Sequence, residues 1–416
     1  MKSVKTEIYA GLTTFLTMSY IIVLNPAILS TEGTGMSFTG VMTATIMVSF
    51  LATLLMGLFA KLPFALAPGM GLNAFFTYTL ILGDQIPWQQ ALGMVFWSGV
   101  FFVVISVTPL REHISRSIPK HLRHALAVGI GVFLAFIGFK NSLFIEAHPA
   151  TFIHNAPFSF DLALAALSLF VILFFLRKKH PASFLIGILG VTVVALIAGK
   201  VQLPERFVSS PDFSSVFFKA DLAGSLKWAF FPSIVTLIVT DMFDSLSTFI
   251  GVAETSKMLD KNGEPKNLKK ALFVDAVATM ISGLFGSSSA TTYIESSAGT
   301  NVGGRTGLTA VVTALCFLPF LFLSPLLSII PSYATGPVLI VVGFLMFSSI
   351  RNLDFHKFED SLPAFLTILL IPLSFSITHG LFWGILAHVV LYVLSGRRKE
   401  LNPILVGLSV IAILLL

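Results

Sequence analysis

Apolar runs about as long as a bilayer is thick recur from one end of this chain to the other. Residues 41–60, 89–108, 158–176 and 378–394 are examples, and each has the roughly 17 to 25 residues that cross a hydrocarbon core as a helix. Backbone polar groups cannot stay unpaired in lipid, so a chain of this kind folds as a bundle of helices and not as open sheet. Composition agrees: 55% of the 416 residues are hydrophobic and 11% charged, and the mean hydropathy is +0.91, which excludes an ordinary soluble domain. The first run starts near Tyr9 and reaches "LNPAIL" without a small-residue cleavage site. It is therefore expected to be a first span and not a cleaved leader.

The net charge of +6 need not mean nucleic acid, because the basic residues segregate to one membrane face. Fourteen spans can be placed between about residues 8 and 395. With the N-terminus inside, all but five of the 26 Lys and Arg residues fall in inner segments, among them Lys2, Lys61, Arg111, Arg116, Lys257, Lys261, Lys269, Lys270 and Arg305. The exceptions, Lys140, Lys200, Arg206, Lys219 and Lys227, lie in or beside two longer outer loops, where charge orients a protein less strongly. The expected topology has both termini cytoplasmic in the cell's inner (plasma) membrane. The single cysteine, Cys316, cannot form an internal disulfide and is expected to be a small core residue.

The chain is also duplicated. "ATLLMGLFAK" at 52–61 resembles "ATMISGLFGS" at 278–287, an offset of 226. The same offset places Thr14 on Thr240, Ser19 on Ser245 and Gly69 on Glu295. Two halves of seven spans each enter the bilayer from opposite faces, which is the inverted repeat that builds many secondary transporters. After the matched helix, both copies break. "LPFALAPGMGLNAFF" carries Pro63, Pro68, Gly69 and Gly71, and "SSSATTYIESSAGT" is rich in Ser and Thr before Glu295; each is expected to run extended and then start a short helix. Non-helical backbone at membrane depth survives only when buried in protein or lining a cavity, so the pair points to a binding site near the midplane.

Carboxylates inside spans cost about 2.5 to 3.5 kcal/mol each on insertion scales and need a reason. Asp244 lies mid-span and Glu295 opens a broken helix, so both are read as functional. Asp241 is divided between a functional role and a helix-end or boundary role. Asp275, within two helical turns of Lys269 and Lys270, is expected to be structural, and Glu254 solvated. His379 and His388 have no Cys or carboxylate at metal spacing, so no metal site is expected. Of the 41 Phe residues, only those beside the broken segments, such as Phe75, Phe76 and Phe243, are candidates to stack on a flat ligand. The tail "LNPILVGLSVIAILLL" is too short to span and is expected to be re-entrant or surface-packed.

"APGMGLNAFF", "FDSLSTFIGVA" and "TTYIESSAGTNVGGRTGLTA" resemble the signatures of the AzgA-like adenine/guanine/hypoxanthine permeases, a branch of the nucleobase:cation symporters related to uracil permease. The resemblance implies an all-α polytopic membrane protein with 14 transmembrane segments in a 7+7 inverted repeat, with short extended stretches in segments 3 and 10. It implies a core domain (residues 1–110 and 223–328) and a gate domain (111–222 and 329–416). Purine uptake by proton symport, often as a homodimer, is also implied, with the proton as coupling ion and no cofactor. Gly71 and Asn73 match the third-span motif, Asp244 the eighth-span acid and Glu295 the tenth-span acid; Thr248 falls where the uracil branch has histidine. "FDSLSTF" stands where "FDTAGTL" is commoner, so Leu246 and Ser247 alter the pocket.

Purine bases are flat and largely uncharged, and a site for them needs carboxylate acceptors, backbone donors and an aromatic wall. Glu295, Asp244 and Asn73, the segment Thr292, Tyr293, Ile294 and Ser296, and Gly71, Phe243 and Thr248 form the expected substrate-binding set, with Asp244 and Glu295 also as proton-coupling groups. The partners expected are purine nucleobase and lipid, not nucleic acid. The alternative is an anion transporter or channel of the same inverted-repeat fold, which would favour positive charge or bare amides at the tenth span. A membrane-embedded protease would need paired catalytic aspartates or a Ser/His pair, and "GSSSA" with His379 is too weak a match, so no enzyme is expected.

Overall fold

The structure, a computed structural model, describes residues 3–108, 118–256, 258–259 and 266–415. Lys2, Arg111, Arg116, Lys257 and Lys261, and the expected domain boundary at 110/111, lie outside the described residues. In the first half, α1 (Val4–Met18) and α2 (Ile21–Leu29) make one segment interrupted at Ser19 and Tyr20. It is followed by α3 (Phe38–Leu55), β1 (Leu66–Pro68) with α4 (Met70–Ala74), α5 (Trp88–Val107) and α6 (Lys120–Asn141). An exposed hairpin, β2 (Ile145–His148) and β3 (Phe152–Asn155), then leads to α7 (Phe160–Arg177) and α8 (Ser183–Ile197). The second half runs α9 (Phe231–Thr255), α10 (Leu268–Phe285), β4 (Ala290–Thr292) with α11 (Ser296–Asn301), α12 (Gly307–Phe317), α13 (Ser324–Ser328), α14 (Ser332–Phe347), α15 (Phe358–Ser374) and α16 (Ile377–Leu394). It ends in α17 (Pro403–Leu415), which packs on α16 and is too short to span.

Among the described residues, eight helices are long and apolar enough to cross a membrane alone. The other segments are short or broken. Taking α1–α2, β1–α4 and β4–α11 as one segment each, α1–α2, α3, β1–α4, α5, α6, α7 and α8 match α9, α10, β4–α11, α12, α14, α15 and α16. The chain is thus an all-helical inverted repeat of 14 segments. Met70 and Ser296, which open the two half-helices, stand 226 residues apart, the spacing of the sequence repeat.

Close packing follows from small residues at the contacts. The segments α1, α3 and α5 pack on α11–α12, α12 and α10, so they join one half to the other. A Cβ on Gly99 of α5 would lie 2.7 Å from Met280 Cα of α10. A second group forms separately: α6 against α14 and α15, α7 against α8 and α14, and α15 against α16. Here a Cβ on Gly131 would meet Gly343 O at 2.6 Å.

Candidate functional site

The two broken segments meet at the centre of the first group. The helix that begins as α3 ends at Lys61 (φ 57) and α10 ends at Gly286 (φ 96), both left-handed C-caps that turn the chain out of helix. Pro63 and Pro68 on one side, and the β-branched Thr291 and Thr292 on the other, then favour extended backbone. The strands β1 and β4 pair antiparallel, Leu66 with Thr292, Ala67 with Thr291 and Pro68 with Ala290. Gly69 N–H donates to Ser289 O and Tyr293 N–H to Ala65 O, both at 2.9 Å.

Hydroxyls complete what this short ladder leaves unpaired, as buried backbone requires. Thr53 Oγ1 accepts from Leu66 N–H at 2.9 Å and donates to Leu66 O at 3.0 Å. Ser296 Oγ accepts from Ala65 N–H at 3.0 Å, and Tyr293 Oη donates to Pro68 O at 2.6 Å. Ser245 and Thr291 hydroxyls are 2.7 Å apart, tying α9 to β4. The ladder is therefore rigid, and α4 and α11 start directly after its two strands.

Glu295 stands at the N-terminal cap of α11. Its Oε1 accepts a 2.6 Å hydrogen bond from Tyr20 Oη, while Thr17 Oγ1 donates to Glu295 O at 3.4 Å. Tyr20 lies at the break between α1 and α2, and its ring packs on Phe184 of α8 with centroids 4.8 Å apart. Sequence reasoning missed Tyr20; a tyrosine inside an apolar span, beside the repeat-matched Ser19, was the available signal. Asp244 on α9 is half-buried, as is Glu295. Both belong to the first helix group and face its boundary with the second.

The other two acids are placed differently. Asp241 and Asp275 are 2% and 0% exposed. Thr279 Oγ1 donates to Asp241 Oδ2 at 2.5 Å, and Thr292 Oγ1 to Asp275 Oδ1 at 3.3 Å. Asp241 Oδ1 and Asp275 Oδ2 are buried without a hydrogen-bond partner. Asp275, expected to be structural from its nearness to Lys269 and Lys270, turns inward onto β4, while both lysines are exposed. Helical phase decides this, because one or two turns along α10 separate lysines at the membrane edge from a core-facing position. Glu254 is exposed, as expected.

The remaining expected residues divide between scaffold and open surface. Thr292, Tyr293 and Ser296 are buried and hold the ladder in the bonds just described. Asn73 Oδ1 accepts from Ser288 Oγ, which joins α4 to the irregular stretch just before β4. Gly71 faces the second helix group: a Cβ there would lie 2.6 Å from Ile130 Cγ2 of α6. Phe243 lies under the Arg123 guanidinium, 5.2 Å from its ring centroid, across the same boundary. Phe75 and Phe76 are fully buried, Thr248 is buried, and Ile294 is 56% exposed. His379 is exposed, whereas His388 is buried and meets His121 and not His379.

What this arrangement can do chemically is bind a neutral, planar, donor-bearing molecule. The N-terminus of α4 offers amides, whereas the first amides of α11 already donate to Tyr293 O, Ile294 O and Glu295 O; Glu295 and Asp244 offer acceptors, and no lysine or arginine side chain is hydrogen-bonded to either acid among the described residues. Comparisons with known proteins give the family. The permease family Xan_ur_permease matches residues 5–381. The chain is 37% identical over 411 residues to the adenine permease AdeP of Escherichia coli (99% of this chain, 92% of the relative). It is 35% identical over 421 residues to the guanine/hypoxanthine permease PbuO of Bacillus subtilis (98% and 96%). In fold it resembles the transmembrane domain of the bicarbonate transporter BicA from a cyanobacterium, with a TM-score of 0.66 at 17% identity, covering 92% of this chain and 98% of that one. The chain belongs to the Xan_ur_permease family of permeases, in its AzgA-like branch, and is a transporter and not an enzyme.

Proposed function

We propose that the protein imports a purine nucleobase, adenine, guanine or hypoxanthine, by proton symport with alternating access. The observation that carries the reading is Glu295 at the cap of α11, half-buried and held by Tyr20. A carboxylate accepts from ring and exocyclic N–H groups, and the amides at the start of α4 donate to carbonyl oxygens and imine nitrogens. Full-length similarity to permeases named for adenine and for guanine and hypoxanthine supports the same substrate class.

In this reading residues 1–110 and 223–328 form a core that carries the site, and 111–222 and 329–416 a gate against which it moves, with both termini in the cytoplasm. A homodimer would anchor the gates. Asp244 takes up the proton, because a half-buried carboxylate without a fixed cation changes its proton affinity with hydration and occupancy. Anion transport is the rival, given the fold shared with a bicarbonate transporter. A carboxylate at the cap of α11 disfavours it, since negative charge already occupies the positive end of that helix.

Competition uptake in proteoliposomes, with adenine, guanine, hypoxanthine, xanthine and uracil against a labelled purine, tests the class. Glu295→Gln should abolish purine binding in detergent, because an amide replaces one acceptor with a donor. Tight purine binding by that variant, or bicarbonate uptake in place of purine uptake, overturns the proposal.

A further inference from the structure

A second cluster of coordinating side chains lies away from the substrate site, among the helices of the second group. His121 comes from the first turn of α6, Asp360 from the first turn of α15 and His388 from the middle of α16. The facing ring nitrogens, His121 Nε2 and His388 Nδ1, are 3.2 Å apart. The Asp360 carboxylate lies 3.6 Å from His121 Nδ1, and one ligand atom from each of the three residues can be chosen so that all lie within 4.8 Å of one another. Tyr392 Oη donates to Asp360 Oδ1 at 2.6 Å, and the His388 and Tyr392 rings are 4.0 Å apart.

We propose that His121, Asp360 and His388 bind a divalent transition-metal ion of the zinc class, with water as the fourth ligand. Two imidazoles and a carboxylate are a common donor set for such an ion. Ligand nitrogens about 2.0 to 2.1 Å from a tetrahedral metal stand about 3.3 Å apart, so the two histidines already have the required separation. If the His121 proton sits on Nδ1, facing Asp360, both facing nitrogens present lone pairs to the ion. Tyr392 orients the carboxylate, the role an outer partner plays in metal sites. Arg397 beside Tyr392 is already engaged: it makes bonds of 2.8 and 2.6 Å to Glu400 and lies over the Tyr392 ring. α6 lies far along the chain from the consecutive helices α15 and α16, so a bound ion would pin the start of α6 to that pair and stiffen the second group.

The test uses the full-length chain, purified in detergent, freed of its affinity tag and treated with chelator. Cobalt(II) is titrated while visible absorption is recorded, and zinc is titrated by calorimetry. The expected result is one ion per chain, an intense tetrahedral cobalt band that zinc displaces, and a thermal unfolding temperature raised by zinc. His121→Gln and His388→Gln should abolish the band, while Tyr392→Phe should weaken binding by roughly tenfold to a hundredfold. His379→Gln, outside the cluster, should leave it unchanged. Lack of a saturable cobalt band in the wild-type chain, or an undiminished band in the His121→Gln/His388→Gln double variant, overturns the site. If the glutamine variants do not fold, an affinity unaltered in Asp360→Asn does the same.

Discussion

Tyr20 and Glu295 are joined by a 2.6 Å hydrogen bond across 275 residues of chain. The contact exists because the first segment breaks at Tyr20 beside the N-terminus of α11, so each half supplies one partner. A hydrogen bond to a charged group contributes about 1.5 to 3 kcal/mol. Tyr20→Phe keeps the ring packed on Phe184 and removes only the hydroxyl, and it should weaken purine binding about tenfold to a hundredfold. An unaltered Kd by calorimetry would mean the bond merely positions the first span.

Gly71 tests whether the two helix groups must pass closely. An added Cβ would press on Ile130 Cγ2 at 2.6 Å, and a valine would add two more methyl groups. Gly71→Val should abolish uptake while leaving the protein monodisperse in the membrane. Because the obstacle is a side chain and not backbone, Gly71→Ala combined with Ile130→Ala should recover uptake relative to Gly71→Ala alone. Normal uptake by Gly71→Val would reduce this glycine to packing.

Asp244→Asn should separate binding from energy coupling. With the site fixed in a neutral form, exchange of purine between preloaded vesicles and medium persists, while uphill accumulation driven by an inward proton gradient disappears. Linkage requires that a proton which strengthens purine binding be strengthened in turn by the purine. Undiminished accumulation by this variant in proteoliposomes would move the coupling role to Asp241, Asp275 or Glu295.

Asp212, in the loop before α9 and outside the spans, offers a pH-dependent test of stability. Partial burial works to raise its carboxyl, but bonds from the hydroxyls and amides of Ser215 and Ser214 outweigh this and hold it at about 2, below the ordinary 3.8. Its Oδ2 also accepts from Thr39 Oγ1 at 3.1 Å, tying the loop to the start of α3. A depressed carboxyl contributes stability above its unfolded value and loses it as pH falls toward the folded one. The Tm deficit of Asp212→Asn should therefore be full at pH 7 and smaller near pH 3. A deficit equal at both values would trace the effect to shape and not to charge.

Most of the architecture was legible in local features. Span length, the 226-residue repeat and the Pro63/Pro68 and Ser/Thr-rich breaks are properties of the sequence pattern, and each has a direct physical reading as helix, symmetry or extended chain. Asp244 and Glu295 stood out because charge is expensive within a span. The exposed hairpin at 145–155 did not stand out, since its pairing depends on a turn of ordinary residues.

By itself the sequence determined that this protein is a duplicated membrane bundle with two broken segments and acids beside them, because burial in lipid penalises every unpaired polar group wherever it falls. Only the tertiary structure decided which partner each acid takes. Glu295 faces Tyr20, Asp275 faces Thr292 and not its neighbouring lysines, and His388 meets His121 and Asp360 from two other helices. The hydroxyls of Thr292, Tyr293 and Ser296 go to the ladder and its surroundings. Such choices depend on the rotation of each helix and the register of β1 on β4, which are set when the two halves close on each other and not by any window of the chain.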